Sequence, residues 1–253
     1  GGRVIHGDPG VLARIPPIRA DQVDLGAARL LLFNRLTCLL QCVHALDLVR
    51  EPAPERRLMM VYMAYKVMLA VAASKLARAG AYHVSYRERA ARFARCFADR
   101  PDEVALVEQA TRFKLEPELP VLEPSALWFR VRDAYLAEVR SASEETHGCA
   151  FLEWDAFARV HEGSRARDAL RKVKWWLMDR RKYVDIGAGQ RRADVELAEL
   201  YLTAAPRPGG AFDATAVDRA RARLAPYTTG CLSDWEACRA AAVALDLAYL
   251  HPP

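Results

Sequence analysis

The sequence lacks the features that would define several common classes of protein. No apolar run reaches the 18 residues or more that a membrane-spanning helix needs, so we expect no membrane partner. The 6 cysteines include no C-x-x-C pair, and no two histidines have the spacing of metal ligands. A long chain with so few cysteines is not a disulfide framework. We therefore expect reduced thiols, no metal ligand set and a cytoplasmic location.

The common catalytic motifs are missing as well. The chain has no G-x-x-x-x-G-K-[ST], no G-x-G-x-x-G, no H-E-x-x-H and no G-x-S-x-G. It also has no G-S followed by D-x-D, where the acidic pair would hold magnesium during nucleotidyl transfer. We accordingly predict no catalytic residue within this chain.

The residues that are present predict an all-α protein. With 253 residues, of which 52 % are hydrophobic, the chain has enough apolar material for a sizeable core. Apolar positions recur at helical spacing, and Pro, Gly and capping residues divide them into segments. We predict roughly ten helices, the clearest of them at about 21–48, 55–79, 85–98, 101–116, 124–143, 215–224 and 233–249.

One short strand, G-R-V-I-H at residues 2–6, stands in front of these helices. A single strand cannot satisfy its own backbone hydrogen bonds, so it needs a sheet that this chain does not supply. We therefore expect residues to precede Gly1, and we assign 1–20 to the edge strand and linker of a missing upstream α/β domain. Residues 21–253 form the helical domain, with a weak internal boundary near 146–150.

A stripe of neutral polar side chains runs along the predicted helix 21–48. Asn34, Thr37, Gln41 and His44 lie within about 80° of one another on an otherwise apolar helix. Such a stripe is either the wall of a polar pocket, an internal seam of hydrogen bonds, or a thin edge that faces solvent.

Lys66 lies in the middle of the next predicted helix, 55–79, which is apolar nearly all round and therefore central. A fully buried lysine is costly unless it is paired. Lys66 must therefore find an acid, reach out to water, or face a phosphate-bearing ligand.

A tight turn follows at Gly80 and presents Tyr82, after which Ser85 caps a helix that carries Tyr86 and Arg89. Arg78 and His83, in the same stretch, match R-x4-H, which is the signature of small helical HEPN ribonucleases. Chance gives about as many matches in a chain this rich in arginine.

Positive charge is concentrated between residues 163 and 192, where 10 basic residues face only three acids. Such a segment attracts phosphate or nucleic acid, or it forms a solvated helix face. The candidate basic surface consists of Arg171, Lys172, Lys174, Arg180, Arg181 and Lys182.

Three strings resemble the junction between domains in certain bacterial nucleotidyltransferase-like proteins of the DNA polymerase β superfamily. They are G-R-V-I-H-G-D-P at 2–9, I-P-P-I-R at 15–19 and L-L-F-N-R-L at 31–36. The run around Lys66, followed by G-A-Y-H-V-S-Y-R-E-R-A, resembles the continuation of the helical C-terminal domain. The resemblance extends to about Phe97.

The resemblance implies metal-dependent transfer of a nucleoside monophosphate, with magnesium and a nucleoside triphosphate held by an upstream catalytic domain. This chain would then be the acceptor-binding part, and its acceptor a small molecule or a nucleic acid. We expect Asn34 and Gln41 to make polar contacts, and Lys66 and Arg89 to contact a phosphate or an acidic acceptor. Tyr82 and Tyr86 would stack on the acceptor or orient it.

Two other hypotheses remain open. The chain is alternatively a non-enzymatic helical interaction module with a basic partner surface at 163–192, which predicts no pocket at Lys66. A HEPN-type RNA-binding or ribonuclease domain would instead require Arg78 and His83 to converge.

Overall fold

The computed structural model describes residues 35–48, 50–118, 123–148, 214–225 and 231–250, together with isolated positions between 10 and 32. Within these ranges the chain is mostly helical and contains no strand, which confirms the all-α class. The predicted strand at 2–6 and the predicted helices between 150 and 213 lie outside the described residues. They stay predictions, as does the total of about ten helices.

Seven α-helices and one short 3-10 helix make up the described part of the chain. The 3-10 helix spans Ala45–Leu48. The α-helices are α1 Leu36–Gln41, α2 Pro54–Arg78, α3 Tyr86–Cys96, α4 Pro101–Leu115, α5 Pro124–His147, α6 Ala214–Leu224 and α7 Trp235–Leu250.

Prolines and caps set most of the helix boundaries, as the sequence predicts. Pro54, Pro101 and Pro124 each begin a helix, where the missing N–H of proline costs nothing. The Ser85 hydroxyl accepts the backbone N–H of Glu88 at the start of α3. After α2, Gly80 takes a φ of 63°, a left-handed conformation that glycine adopts without strain.

The prediction of one continuous helix to Leu48 is wrong, because α1 ends at Gln41 and a 3-10 helix follows. Two carboxylates explain the break. The backbone N–H of His44 donates to Asp47 Oδ2 at 2.7 Å, and that of Ala45 donates to Glu236 Oε2 at 3.0 Å. These N–H groups are therefore capped by side chains and not by the preceding turn of a helix.

Helix α2 is the central element, as its nearly uniform apolar composition predicts. It packs against α1, α3, α4 and α5, and Met60, Val67 and Met68 are fully buried in the core. By length and composition α2 alone among the described helices could cross a membrane, but 67 % of its apolar window is buried inside the protein. A buried core helix has the same properties.

Hydrogen bonds to main-chain carbonyls fix the segment around α1 against its neighbours. Trp128 on α5 donates its indole N–H to the carbonyl of Leu39 at 2.8 Å. Arg239 on α7 donates to the carbonyl of Leu40, also at 2.8 Å. Both carbonyls lie in a short helix, so these bonds hold α1 in place along the edge of α2.

Candidate functional site: a basic groove beside the central helix

An open groove of about 560 Å³ runs along α2 and is bounded by α3, α4 and the segment that precedes α1. Its volume falls within the range of small-molecule sites. Most of its lining is apolar or aromatic, and its charged lining residues are mostly basic. The lining residues that matter below are Arg35, Glu55, Leu58, Met59, Tyr62, Lys66, Tyr86, Arg89, Phe113 and Lys114.

The apolar wall of the groove comes from the first turns of α2. Leu58, Met59 and Tyr62 are 49 %, 48 % and 41 % exposed, although large apolar side chains on a central helix are usually covered. Leu58 and Tyr62 lie one helical turn apart and therefore share a face. Three exposed apolar side chains in one concave surface form a patch suited to a ligand or a partner.

Lys66 lies one turn beyond Tyr62 and faces this groove. It is half-buried, and its Nζ lies 5.9 Å from the centroid of the Tyr62 ring, within the range of a cation–π contact. Within the described ranges no carboxylate pairs with it. Of the three alternatives that the sequence left open, pairing with an acid therefore receives no support.

Arg89 reaches the groove from α3 and is held by two aromatic rings. Its Cζ lies 4.2 Å from the Tyr86 ring centroid and 5.5 Å from that of Tyr82. Its Nε is buried, and no residue in the described part of the chain accepts a hydrogen bond from it. Tyr86 lines the groove with Arg89, whereas Tyr82 contacts Arg89 and does not line the groove.

The turn that carries Tyr82 is fixed by α3. The Arg92 guanidinium donates from Nη1 to the carbonyls of Ala81 and Tyr82 at 3.4 and 3.3 Å. Its Nε also donates to Glu88 Oε1, one turn earlier, at 3.0 Å. Arg92 therefore holds the Tyr82 backbone in register with the helix that presents Arg89.

The structure brings together three of the six residues singled out from the sequence. Lys66, Tyr86 and Arg89 line one groove, and Tyr82 reaches it through Arg89. Gln41 is half-buried at the end of α1 and is not part of the groove lining. Asn34 and the candidate basic surface, with its six residues between 171 and 182, lie outside the described part of the chain.

The groove residues that the sequence did not single out as site residues include Arg35, Tyr62 and Lys114. Tyr62 could have been found, because it precedes Lys66 by one helical turn. Lys114 lies near the end of α4, and only the packing of α4 against α2 and α3 brings it to the groove. No local pattern carries that information.

His44 does not extend a polar stripe, because α1 has ended before it. Its Nδ1 lies 2.7 Å from Glu236 Oε1 on α7, and Arg239 lies against the same carboxylate. Burial raises the pKa of Glu236, but bonds from Arg239 and the Ala45 N–H outweigh it and hold that pKa below its ordinary value. This cluster ties α7 to α1.

Arg78, the arginine of the R-x4-H match, is bound by helix α5. Its Nη1 donates to Glu138 at 3.0 Å, its Nη2 donates to Ser141 at 2.9 Å, and its Nε donates to Glu145. His83 instead accepts the backbone N–H of Ser85 at 3.1 Å. In this structure Arg78 serves as a link between α2 and α5.

A metal site is not evident in the part of the chain that the structure describes, where no three His, Cys, Asp or Glu side chains cluster as metal ligands. Comparison of the chain with protein-family models, with curated proteins and with solved structures gives no match in any of the three. We therefore infer a function from the shape and lining residues of the groove.

Proposed function

We propose that this chain is the acceptor-binding helical part of a nucleotidyltransferase-like protein, and that its groove binds an anionic acceptor with an apolar or aromatic body. One observation carries the proposal. Lys66 and Arg89, from two different helices, reach a single groove that is also lined by the exposed apolar side chains of Leu58, Met59 and Tyr62. The nucleotidyltransferase context comes from the sequence resemblance alone.

The apolar and the basic lining residues favour different parts of such a ligand. Covering Leu58, Met59 and Tyr62 removes apolar surface from water, which favours binding by about 25 cal/mol for each Å² covered. Lys66 and Arg89 supply the charge that fixes the orientation of an anion. A neutral ligand would use only the apolar residues, and a small inorganic anion only the basic ones.

Magnesium does not fit the groove. Among the lining residues that the structure describes, Glu55 is the one carboxylate, and most of the other charged ones are basic. Magnesium prefers several oxygen ligands in an octahedral arrangement. We therefore assign no catalytic step to this groove, and in the proposal magnesium and the nucleoside triphosphate belong to the catalytic domain that the resemblance implies.

The groove also bears on the alternative hypotheses. A non-enzymatic interaction module predicts no pocket at Lys66, so the groove favours the acceptor-binding proposal. The HEPN hypothesis needs Arg78 for chemistry, and the three bonds from Arg78 to α5 favour a structural role instead.

The probe that tests this proposal is 8-anilino-1-naphthalenesulfonate, which combines one anionic group with aromatic rings. We expect saturable binding by fluorescence titration of the full chain. Lys66→Met should weaken binding about fivefold through loss of one charge contact, and Tyr62→Ser should weaken it through loss of apolar contact.

The matched control is Arg95→Met, which removes an exposed arginine from α3 that does not line the groove. It should bind the probe like the unmodified chain. If Lys66→Met and Arg95→Met bind the probe equally well, the groove is not the binding site and the proposal is wrong.

A further inference from the structure

Arg89 differs from the other arginines of helix α3 in having no carboxylate partner among the described residues. Each of the others lies within 3.6 Å of Glu88 or Glu116. Arg89 instead lies against two tyrosine rings, and its Nε is buried without an acceptor. The paired arginines are Arg87, Arg92 and Arg95.

The ring contacts leave the hydrogen-bonding capacity of Arg89 unused. An aromatic ring interacts with the face of a guanidinium, whereas its five N–H donors lie in its plane. The buried Nε is out of reach of a ligand in the groove, whereas Nη1 and Nη2 are not among the buried unpartnered atoms and are the donors that an acceptor in the groove can meet. Two oxygens of a phosphate or carboxylate match these two donors as a bidentate pair.

The charge of the groove separates these two anions. Among the lining residues that the structure describes, the cations Lys66, Arg89 and Lys114 already outnumber the one carboxylate, Glu55. A phosphate monoester carries close to two negative charges at neutral pH, because its second pKa is about 6. A carboxylate carries one, so the excess of positive charge favours the phosphate.

We propose that Arg89 binds the phosphate of a phosphate monoester in this groove, and that Tyr82 acts as a positioning residue for the Arg89 guanidinium. The proposal rests on the proposed function, because it names the anion that the groove takes. Of the two roles that the sequence left open for Tyr82, stacking on the acceptor or orienting it, this proposal takes an indirect form of the second, in which Tyr82 holds Arg89 in place.

Three naphthalene probes of similar shape test the anion by isothermal titration calorimetry: 1-naphthyl phosphate, 1-naphthoate and 1-naphthol. We expect the phosphate to bind at least tenfold more tightly than the carboxylate, and 1-naphthol to bind most weakly. Arg89→Lys should lose about tenfold for 1-naphthyl phosphate, since lysine cannot form the bidentate pair, and should leave 1-naphthol unchanged. Arg95→Lys is the control.

Tyr82 is tested by two substitutions with opposite expected results. Tyr82→Phe keeps the ring and should bind 1-naphthyl phosphate within twofold of the unmodified chain. Tyr82→Leu removes the ring and should bind it about three- to fivefold more weakly. Circular dichroism before each titration shows whether the variant is folded.

The outcomes distinguish this inference from the proposed function. If the naphthalenesulfonate probe binds through Lys66 but 1-naphthoate and 1-naphthyl phosphate bind with equal affinity, the phosphate assignment is wrong. The proposal that the groove binds an anionic ligand is then still supported. Equal affinity of Arg89→Lys and the unmodified chain for the phosphate would overturn the role of Arg89. Equal affinity of Tyr82→Leu and Tyr82→Phe would overturn that of Tyr82. If no probe binds, both proposals fail.

Discussion

Replacing Ser74 by alanine tests how the core tolerates a buried carboxylate. The Ser74 hydroxyl donates to Glu138 Oε1 at 2.6 Å, and both residues are 1 % exposed. A hydrogen bond to a charged group contributes about 1.5–3 kcal/mol. Because Arg78 still donates to the other oxygen of Glu138 at 3.0 Å, we expect Ser74→Ala to lower the free energy of unfolding by about 2 kcal/mol.

The matched control is Ser143→Ala on α5. Ser143 is also 1 % exposed, but its hydroxyl has no hydrogen-bond partner. Removing a buried hydroxyl that makes no bond costs nothing and relieves its desolvation. This substitution should therefore leave the free energy of unfolding unchanged or raise it.

The assay is urea unfolding of the two variants and the unmodified chain, followed by circular dichroism. Burial raises the pKa of Glu138 above its ordinary value of 4.5, although Ser74 and Arg78 oppose the shift. A raised carboxyl pKa means that stability falls as the pH rises through it. The Ser74 hydroxyl favours the ionised form of Glu138. The loss of unfolding free energy caused by Ser74→Ala is therefore largest at a pH above that pKa and becomes smaller below it. Equal effects of Ser74→Ala and Ser143→Ala at neutral pH would refute the reasoning.

Three further substitutions have definite expected outcomes. The pKa of Asp47 is lowered, because its bonds from Arg56 and from the His44 N–H outweigh burial. Asp47 therefore contributes stability that is fully present above pH 3.8 and is lost as the pH falls through the lowered pKa. Asp47→Asn should therefore flatten the acid side of the stability profile measured by urea unfolding from pH 2 to 7. Gly80→Ala should cost about 1 kcal/mol from backbone strain alone, since its φ is positive and no atom lies within 4 Å of an added Cβ; an unchanged melting temperature would contradict this. Glu103→Gln leaves Lys75, whose side chain is 5 % exposed, without the carboxylate that its Nζ contacts, and should destabilise the fold by about 3 kcal/mol; a loss below 1 kcal/mol in chemical denaturation would contradict a buried ion pair.

The boundaries of the helices could be read from the sequence wherever a local residue sets them. Pro54, Gly80, Ser85, Pro101 and Pro124 act on their immediate neighbours, and their effects appear where predicted. These residues either lack an N–H, allow a positive φ or cap a free N–H. No tertiary partner is needed for any of these effects.

The end of α1 could not be read in this way. One of the two carboxylates that accept the N–H groups of His44 and Ala45, where the 3-10 helix begins, comes from Glu236, 191 positions away from Ala45. The periodic apolar pattern continues past Gln41, so it predicts a longer helix than the tertiary contacts allow. For the same reason His44 does not lie on the helix that carries Gln41, whereas Asn34 and the Thr37 side chain are outside the described part of the chain.

The groove was accessible from sequence only in part. The sequence indicates Lys66 as a candidate because a lysine is unusual on an apolar helix. It indicates Arg89 and Tyr86 because they follow a capped turn. Lys114 gave no such signal, because it is an ordinary lysine in the last turn of α4. Among the described residues Arg89 has no carboxylate partner, whereas the other arginines of α3 do. Only the structure shows this difference.

The most direct test of the central claim is a titration of the chain, labelled at its methionine methyl groups, with 1-naphthyl phosphate followed by NMR. Met59 lines the groove and is 48 % exposed, whereas Met60 and Met68 are fully buried in the core. If the groove binds this probe, we expect the Met59 methyl resonance to shift saturably, while the resonances of Met60 and Met68 do not shift. A saturable shift elsewhere with Met59 unmoved would contradict the claim that this groove is the binding site.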